Sequence, residues 1–267
     1  MPVPDEIQLS IVLPCYNASR LLERRLPPFL GCLDKLETPY EVILSDDGSA
    51  DAADTCRIAK QFGCRYIAGA RNLGKGAAVR RGMRAARGKF RIFTDADIPY
   101  EFDIIERMLR CLDFEQIHFV AGNRHFQGSN YFAEIPAIRR IASRVYSFIV
   151  ARFIAAGWRD TQCGIKGFRA EAADRIFNLS RVNRFAFDAE IFHIALKLNY
   201  GIKRLPVHLK RHDKSSVRIV RDSLLMFKDL AAIQWHDFAG HYGRGGSALI
   251  GPGKLRRPGG PWNRVKP

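Results

Sequence analysis

Phe90–Phe102 reads FRIFTDADIPYEF, and the fold follows from how this stretch is read. A short apolar strand, Phe90–Phe93, runs into two carboxylates one residue apart, Asp95 and Asp97. A strand sends alternate side chains to opposite faces, so carboxylates continuing it at i and i+2 would share a face. Like charges that close resist ionising together unless a positive charge lies between them. The simplest answer is a divalent cation such as Mg2+ or Mn2+, which takes one or two protein carboxylates and completes its shell with water and phosphate. The bland alternative is that one Asp caps the next helix and the other is solvated.

The same pattern repeats on either side of this stretch. Leu9–Leu13 is a continuous apolar run, a buried strand. A helix is expected over Asn17–Leu33, with Asn17 or Ser19 as its N-cap. Glu41–Leu44 is a second strand, Asp51–Phe62 a helix, Cys64–Ala68 a strand, and Gly76–Ala86 a helix opened by a glycine turn. Strands alternating with helices predict an α/β fold with a mostly parallel sheet flanked by helices. Ligands in such sheets bind beyond the carboxyl ends of the strands. PCYN, DDGS and DAD, which follow three of these strands, all fall at that edge. Further along, a strand is expected at Ile117–Gly122, a helix or helix pair at Ala137–Ala156, a helix at Ala186–Leu198, a strand at Ile202–Leu209 and a helix at Ser223–Ile233. Residues 1–239 form one domain in this reading, and 240–267 a basic, Gly/Pro-rich, flexible tail.

The 267 residues suit one large domain that needs no disulfide staples. The six cysteines form no CxxC pair, which argues against a zinc site and for buried thiols in a reducing compartment. The histidines show no metal spacing. No signal peptide and no apolar run of spanning length are visible. With 43 Lys+Arg against 27 Asp+Glu the formal charge is +16, which suits nucleic acid, an anionic membrane or phosphorylated substrates. RNP, helix-turn-helix and zinc-finger patterns are missing, so nucleic acid is not expected as a partner.

The remaining motifs carry two readings each. In SDDGS, Asp46 or Asp47 is placed to accept from a base or ribose, and DGS equally serves a turn and helix cap. RNLGKGAAVRRGM is neither a P-loop nor GxGxxG, but brings Lys75 and backbone amides towards a phosphate. In DTQCGIKGFR and RFAFDAEI, Asp160 or Asp188 is either a general base or half of a structural pair with Arg184. KRHDKSSVRIVRDS is a phosphate clamp or a solvated loop.

Together, IVLPCYNASRLL, LSDDGSADA, NLGKGAAVRRGMRAARG, FTDADI, AGNR, DTQCGIKGFR, RFAFDAEI and VRIVRDSLLMFKDL resemble the inverting GT-A glycosyltransferases of family 2, over roughly residues 8–233. The nearer likeness is to the polyprenyl-phosphate branch, the dolichyl-phosphate glucosyltransferases and mannose synthases. DTQCGIKGF and RFAFDAEI are closer to the glucosyltransferase side. The resemblance implies a GT-A fold, Mg2+ or Mn2+, a UDP- or GDP-hexose donor and a polyprenyl phosphate acceptor. It implies that Pro14 and Tyr16 border the base, Asp46 or Asp47 holds base or ribose, and Lys75 lies near the nucleotide. Gln162 would lie by the sugar. Asp95 and Asp97 would bind the metal and diphosphate, with Asp97, Arg124 and Arg221 as the catalytic set and the two arginines at the acceptor phosphate. Ser216 stands where relatives often carry a basic residue, and many relatives have C-terminal membrane helices where this sequence has its basic tail. Peripheral docking at the cytoplasmic membrane face is therefore expected. Ile141–Trp158, with Arg139, Arg140, Arg144 and Arg152 among apolar residues, is either the docking helix or a core helix. An acceptor that is a glycan or small-molecule hydroxyl is the alternative, and it needs Asp160 or Asp188 as a base.

Overall fold

The structure, a computed structural model, describes residues 6–114, 116–124, 129, 146–152, 154–155, 157–158, 160–209 and 219–243, with backbone only for 219–224. Seven strands form one mixed sheet in the order β3-β2-β1-β4-β6-β5-β7. They are β1 (Leu9–Cys15), β2 (Tyr40–Asp46), β3 (Arg65–Ala68), β4 (Phe90–Phe93), β5 (Phe119–Asn123), β6 (Lys166–Arg169) and β7 (Ile202–Pro206). All pair in parallel except β6, which runs antiparallel to both of its neighbours.

Alternation along β1 explains the two faces. Leu9, Ile11 and Leu13 join one buried cluster and Val12 the other, so both sides of the sheet are covered. The first face carries α1 (Ser19–Leu33), α2 (Ala52–Gln61) and α4 (Asp103–Leu112). The second carries α3 (Lys75–Ala85), α5 (described over 146–152), α6 (Ala170–Leu179), α7 (Phe187–Lys197) and the buried side of α8 (Ile219–Phe238). Helix α1 continues through Pro27 and Pro28, although an interior proline costs about 3 kcal/mol. Leu22, Leu26, Phe29 and Leu33 recur at helical spacing and are all buried, and that burial outweighs the missing donors. On the second face Phe93, Phe119, Phe168, Phe177, Phe187 and Phe192 form one aromatic layer, with ring centroids 4.5–6.4 Å apart.

Most expected elements appear within one or two residues of their expected ends. Others depart from the expectation: β7 ends at Pro206 rather than Leu209, and the last helix runs Ile219–Phe238 rather than Ser223–Ile233. The N-cap of α1 is Ala18, with no side-chain cap. Asn17 takes a left-handed φ of 50° and turns its side chain to accept from the Ala50 amide (2.8 Å), while Ser19 receives its order from Asp51. Asp160–Arg169, read as a polar loop, contains β6. Helices α4 and α6 were not expected. Of the helix expected over Ala137–Ala156, residues 137–145 lie outside the described residues. Of the tail expected over 240–267, residues 240–243 are described, with Tyr242 buried and donating to Glu190 (2.6 Å); residues 244–267 lie outside the described residues.

Gly82 marks how closely α3 lies on β1. A Cβ there would stand 2.3 Å from Val12 Cγ1 and 3.2 Å from Ser45 Cβ. Gly82→Val gains helix propensity of under about 1 kcal/mol but forces the helix off the sheet. A net loss of at least about 2 kcal/mol is expected, read as a lower urea midpoint with an unchanged m-value.

Candidate functional site

The carboxyl ends of β1, β2, β4 and β5 lie along one edge, and β6, running the other way, begins there. Its register sets Lys166 beside Phe93. The residues leading into β6, Asp160–Ile165, therefore come up against the end of β4 and the DAD turn.

At the β2 end the two acids divide the work. Asp46 is fully buried; its oxygens accept from Ser49 Oγ and, at 2.8 Å, from the Tyr66 hydroxyl. It holds the DGS turn, where Gly48 at φ 73° leaves no room for a Cβ beside Arg71. Asp47 Oδ2 accepts from the amides of Leu73 (3.1 Å) and Gly74 (2.6 Å), and so fixes the loop that starts α3. Asp47 Oδ1 is buried with no hydrogen-bond partner among the described residues, 3.7 Å from Arg81 Nη2. Pro14 lies buried within β1, and Tyr16, just beyond it, is half exposed.

Asp95 and Asp97 sit in a turn beyond β4 rather than on the strand, so a shared strand face is not what brings them together. The Ile98 amide closes the turn on the Asp95 carbonyl at 2.9 Å. Ile98 has φ 46°, a conformation that a β-branched side chain adopts only under strain. The positive charge beside the carboxylates is Lys75, the first residue of α3, whose ammonium is paired with Asp95 Oδ1. Burial works to lower the pKa of Lys75, but Asp95, Asp188 and Asp97 together hold it above its ordinary value. Asp95 Oδ2 lies against Gly164, where a Cβ would stand only 2.1 Å away. Gly164 in turn donates its amide to the buried Tyr100 hydroxyl at 3.0 Å.

Asp188 and Asp160 are both in ion pairs, but neither pairs with Arg184. Asp188 accepts from Lys166 at 2.5 Å, and Lys166 has no exposed surface. Asp160 holds Arg124 through its backbone amide (2.6 Å), Nε (3.2 Å) and Nη2 (2.7 Å). Arg184 binds Asp229 of α8 at 2.8 Å. Burial opposes the charge on Arg124, and Asp160 outweighs it, so the guanidinium is held well above its usual range. Gln162 donates to the Tyr146 hydroxyl at 3.5 Å. Arg221 lies in α8, and its side chain is outside the described residues, as is Ser216. All six cysteines are free, and burial pushes the thiols of Cys15 and Cys163 up, away from the reactive thiolate. Sequence reasoning missed Tyr66, Tyr100, Gly164 and Lys166. The glycines at every third position of DTQCGIKGF were the one visible sign that a backbone passes close to something there.

Among the described residues no group of three or more His, Cys, Asp or Glu side chains comes together. A hard divalent ion that completes its shell with water and phosphate does not require one. Asp95 and Asp97 fit such an ion: both are oxygen donors, both are partly exposed, and Asp95 is seated on a glycine that admits no side chain.

A mostly parallel sheet with acidic turns and a lysine-led helix start along its carboxyl edge defines an α/β protein of the GT-A kind. Residues 10–177 match the model of Glycosyl transferase family 2, and the chain belongs to that family. A dolichyl-phosphate beta-glucosyltransferase of Dictyostelium discoideum is 33% identical over 250 residues, 88% of this chain and 76% of that protein. The Homo sapiens protein of the same name is 32% identical over 244 residues, 85% and 75% of the two chains. The fold is shared with glucosyl-3-phosphoglycerate synthase of Mycobacterium tuberculosis, solved in complex with Mn2+, UDP and glucosyl-3-phosphoglycerate. There the TM-score is 0.63 at 17% identity, covering 85% of this chain and 79% of that one.

The buried pair yields a test. Burial raises the Asp188 carboxyl above its ordinary value, and Lys166 and Lys75 offset only part of that. Lys166→Met takes away the carboxylate's hydrogen-bonded partner, leaves only the weaker action of Lys75, and should cost about 3–5 kcal/mol near neutral pH. An acid held above its unfolded value binds a proton in the folded state first, so the variant's stability should rise as pH falls from 7 towards the ordinary carboxylate range. Lys166→Met with Asp188→Leu should recover most of the loss and abolish that rise, as read by guanidinium unfolding at pH 5 and 7.5.

Proposed function

We propose that this chain transfers glucose from UDP-glucose to a polyprenyl phosphate with inversion of the sugar. The observation that carries the reading is the state of the two acids that would have to serve as a base. Asp160 is bound to Arg124 and Asp188 to a fully buried lysine. A hydroxyl acceptor needs a base to take its proton, whereas a phosphate acceptor is already ionised near neutral pH. The names of the relatives, dolichyl-phosphate beta-glucosyltransferases, supply the same donor sugar and acceptor class.

In this reaction a phosphate oxygen of the lipid bonds to the anomeric carbon as the bond from that carbon to the UDP oxygen breaks. The electron pair leaves on UDP, and no proton has to be removed. Attack in line with the departing group inverts the configuration. Asp47 rather than Asp46 holds the ribose or base, because Asp47 Oδ1 has no hydrogen bond among the described residues, only Arg81 at 3.7 Å, while both Asp46 oxygens are used. Tyr16 borders the base, with Pro14 setting the end of β1 behind it. Gln162 lies towards the sugar. Arg124, held charged and oriented by Asp160, meets the acceptor phosphate together with Arg221. Asp95 and Asp97 hold Mg2+ or Mn2+, which when bound supplies charge that offsets the negative charge on the departing diphosphate.

A lipid acceptor requires the protein to reach a membrane, at the cytoplasmic face in this reading. No helix among the described residues is long and apolar enough to cross one. Helix α8 supports docking from the surface. Its outer stripe is Phe227, Lys228, Ala231, Gln234, Trp235 and Phe238, with Trp235 65% and Phe238 85% exposed and no carboxylate among the six. On α5, which meets α8 through Tyr146 and Phe227, Phe148 is 68% exposed and Arg152 is exposed as well. Aromatic rings with scattered cations suit the interface of an anionic bilayer. Between α5 and α8 lies an apolar cleft of about 220 Å³, lined by Ile149, Ile154, Phe227 and Leu230. Tyr146 links its neighbourhood to Gln162.

Two measurements test the reading. Purified protein with Mn2+ is offered UDP-glucose, GDP-mannose or UDP-GlcNAc, with and without polyprenyl phosphate in detergent. Transfer from UDP-glucose only when the lipid phosphate is present is expected; equal turnover without it would sink the acceptor assignment. Trp235→Ser with Phe238→Ser should weaken binding to vesicles containing anionic lipid by about tenfold or more. Thermal unfolding should not shift, since both rings face solvent; unchanged flotation would remove α8 as the docking surface.

A further inference from the structure

Lys75 holds Asp95 Oδ1, while Oδ2 is pressed against Gly164. The carboxylate that suits a divalent ion is therefore already neutralised by a side chain of the protein itself. Two cations sharing one carboxylate repel each other at hydrogen-bond range. Behind Lys75 stands a second acid, Asp188, which acts on it electrostatically and is anchored in turn by Lys166. The order of charges from the core outward is Lys166, Asp188, Lys75, Asp95. Lys75 thus has an acid on either side, and it is only a fifth exposed, so its excursions are short.

We propose that Lys75 is a stand-in cation: it occupies Asp95 until a divalent ion takes that carboxylate, and then carries its charge to the donor diphosphate. The proposal rests on the reading of Asp95 as a metal-binding carboxylate, and adds an exchange of partners to it. Lys75 leaves one anion for another and never stands alone, because Asp188 remains behind it. The exchange makes cation and nucleotide cooperative beyond any direct contact between them. Each helps the other by settling where Lys75 goes, and this coupling is reciprocal. It also guards Asp95 and Asp97 against binding a cation tightly when no donor is present.

The test is calorimetric titration of Mn2+ and of UDP, each alone and each in the presence of the other, in the wild type and in Lys75→Met. With Mn2+ alone the variant should bind about tenfold tighter, because the competing ammonium is gone. UDP should bind it more weakly. The factor by which Mn2+ improves UDP affinity should fall by about fivefold or more. A lysine that merely repels the ion from nearby would change the two single affinities and leave that factor intact, and this result would overturn the proposal. Unchanged or weaker Mn2+ binding in the variant would overturn it as well. If the wild type takes up no Mn2+ even with UDP, the metal reading of Asp95 fails first, and the exchange with it. A second measurement needs no substitution. Amine-reactive labelling of Lys75 in the wild type, followed by mass spectrometry, should rise on adding Mn2+ and fall again on adding UDP. Labelling indifferent to Mn2+ would speak against the exchange even if the variant fails to fold.

Discussion

Lys166 has no exposed surface, and the carboxylate of Asp188 is what neutralises it. A buried pair of this kind adds little net stability but is strict about geometry, because either charge left alone is costly. That strictness ties β6 to α7. It fixes the one antiparallel strand between β4 and β5, so its incoming loop meets the outgoing turn of β4. Gly164 then lies under Asp95, Asp160 reaches Arg124, and Lys75 at the start of α3 finds acids on two sides. The polar groups around the β4 turn thus depend on one almost wholly buried salt bridge.

The strands β1, β2 and β4 and the helices α1, α2 and α3 were legible because period and punctuation agree: apolar runs end in polar turns, and turns open amphipathic helices. The three loops of the carboxyl edge followed from that alone. Strand β6 was not legible. In Lys166-Gly167-Phe168-Arg169 the lysine reads as a solvent-facing residue, and only its distant partner, 22 residues on, makes it a core residue. The partner of Asp160 lies 36 residues back, and Arg184 takes Asp229, 45 residues ahead. Pairings at such separations leave no local trace. The expected N-cap at Asn17 failed for a similar reason, since the side chain serves the loop after β2 instead of its own helix.

Asp46 and Asp47 show how neighbouring identical residues part company. Position 46 ends the strand and faces inward, where Ser49 and Tyr66 claim it. Position 47 is turned to the loop before α3 and keeps an oxygen in reserve. The sequence places two acids there, but assigning one job to each needs the direction of the last strand residue and the rings around it.

The left-handed Ile98 adds a last consequence. A branched side chain in that conformation stores about 1–3 kcal/mol, and it does so next to the two partly exposed carboxylates. Glycine would adopt the same backbone freely and would release the stored energy. It would also let the turn wander. The position sets thermal endurance against working order: laboratory selection for heat tolerance alone would reward relaxing this turn, and the protein it favoured would be hardier and less well aimed.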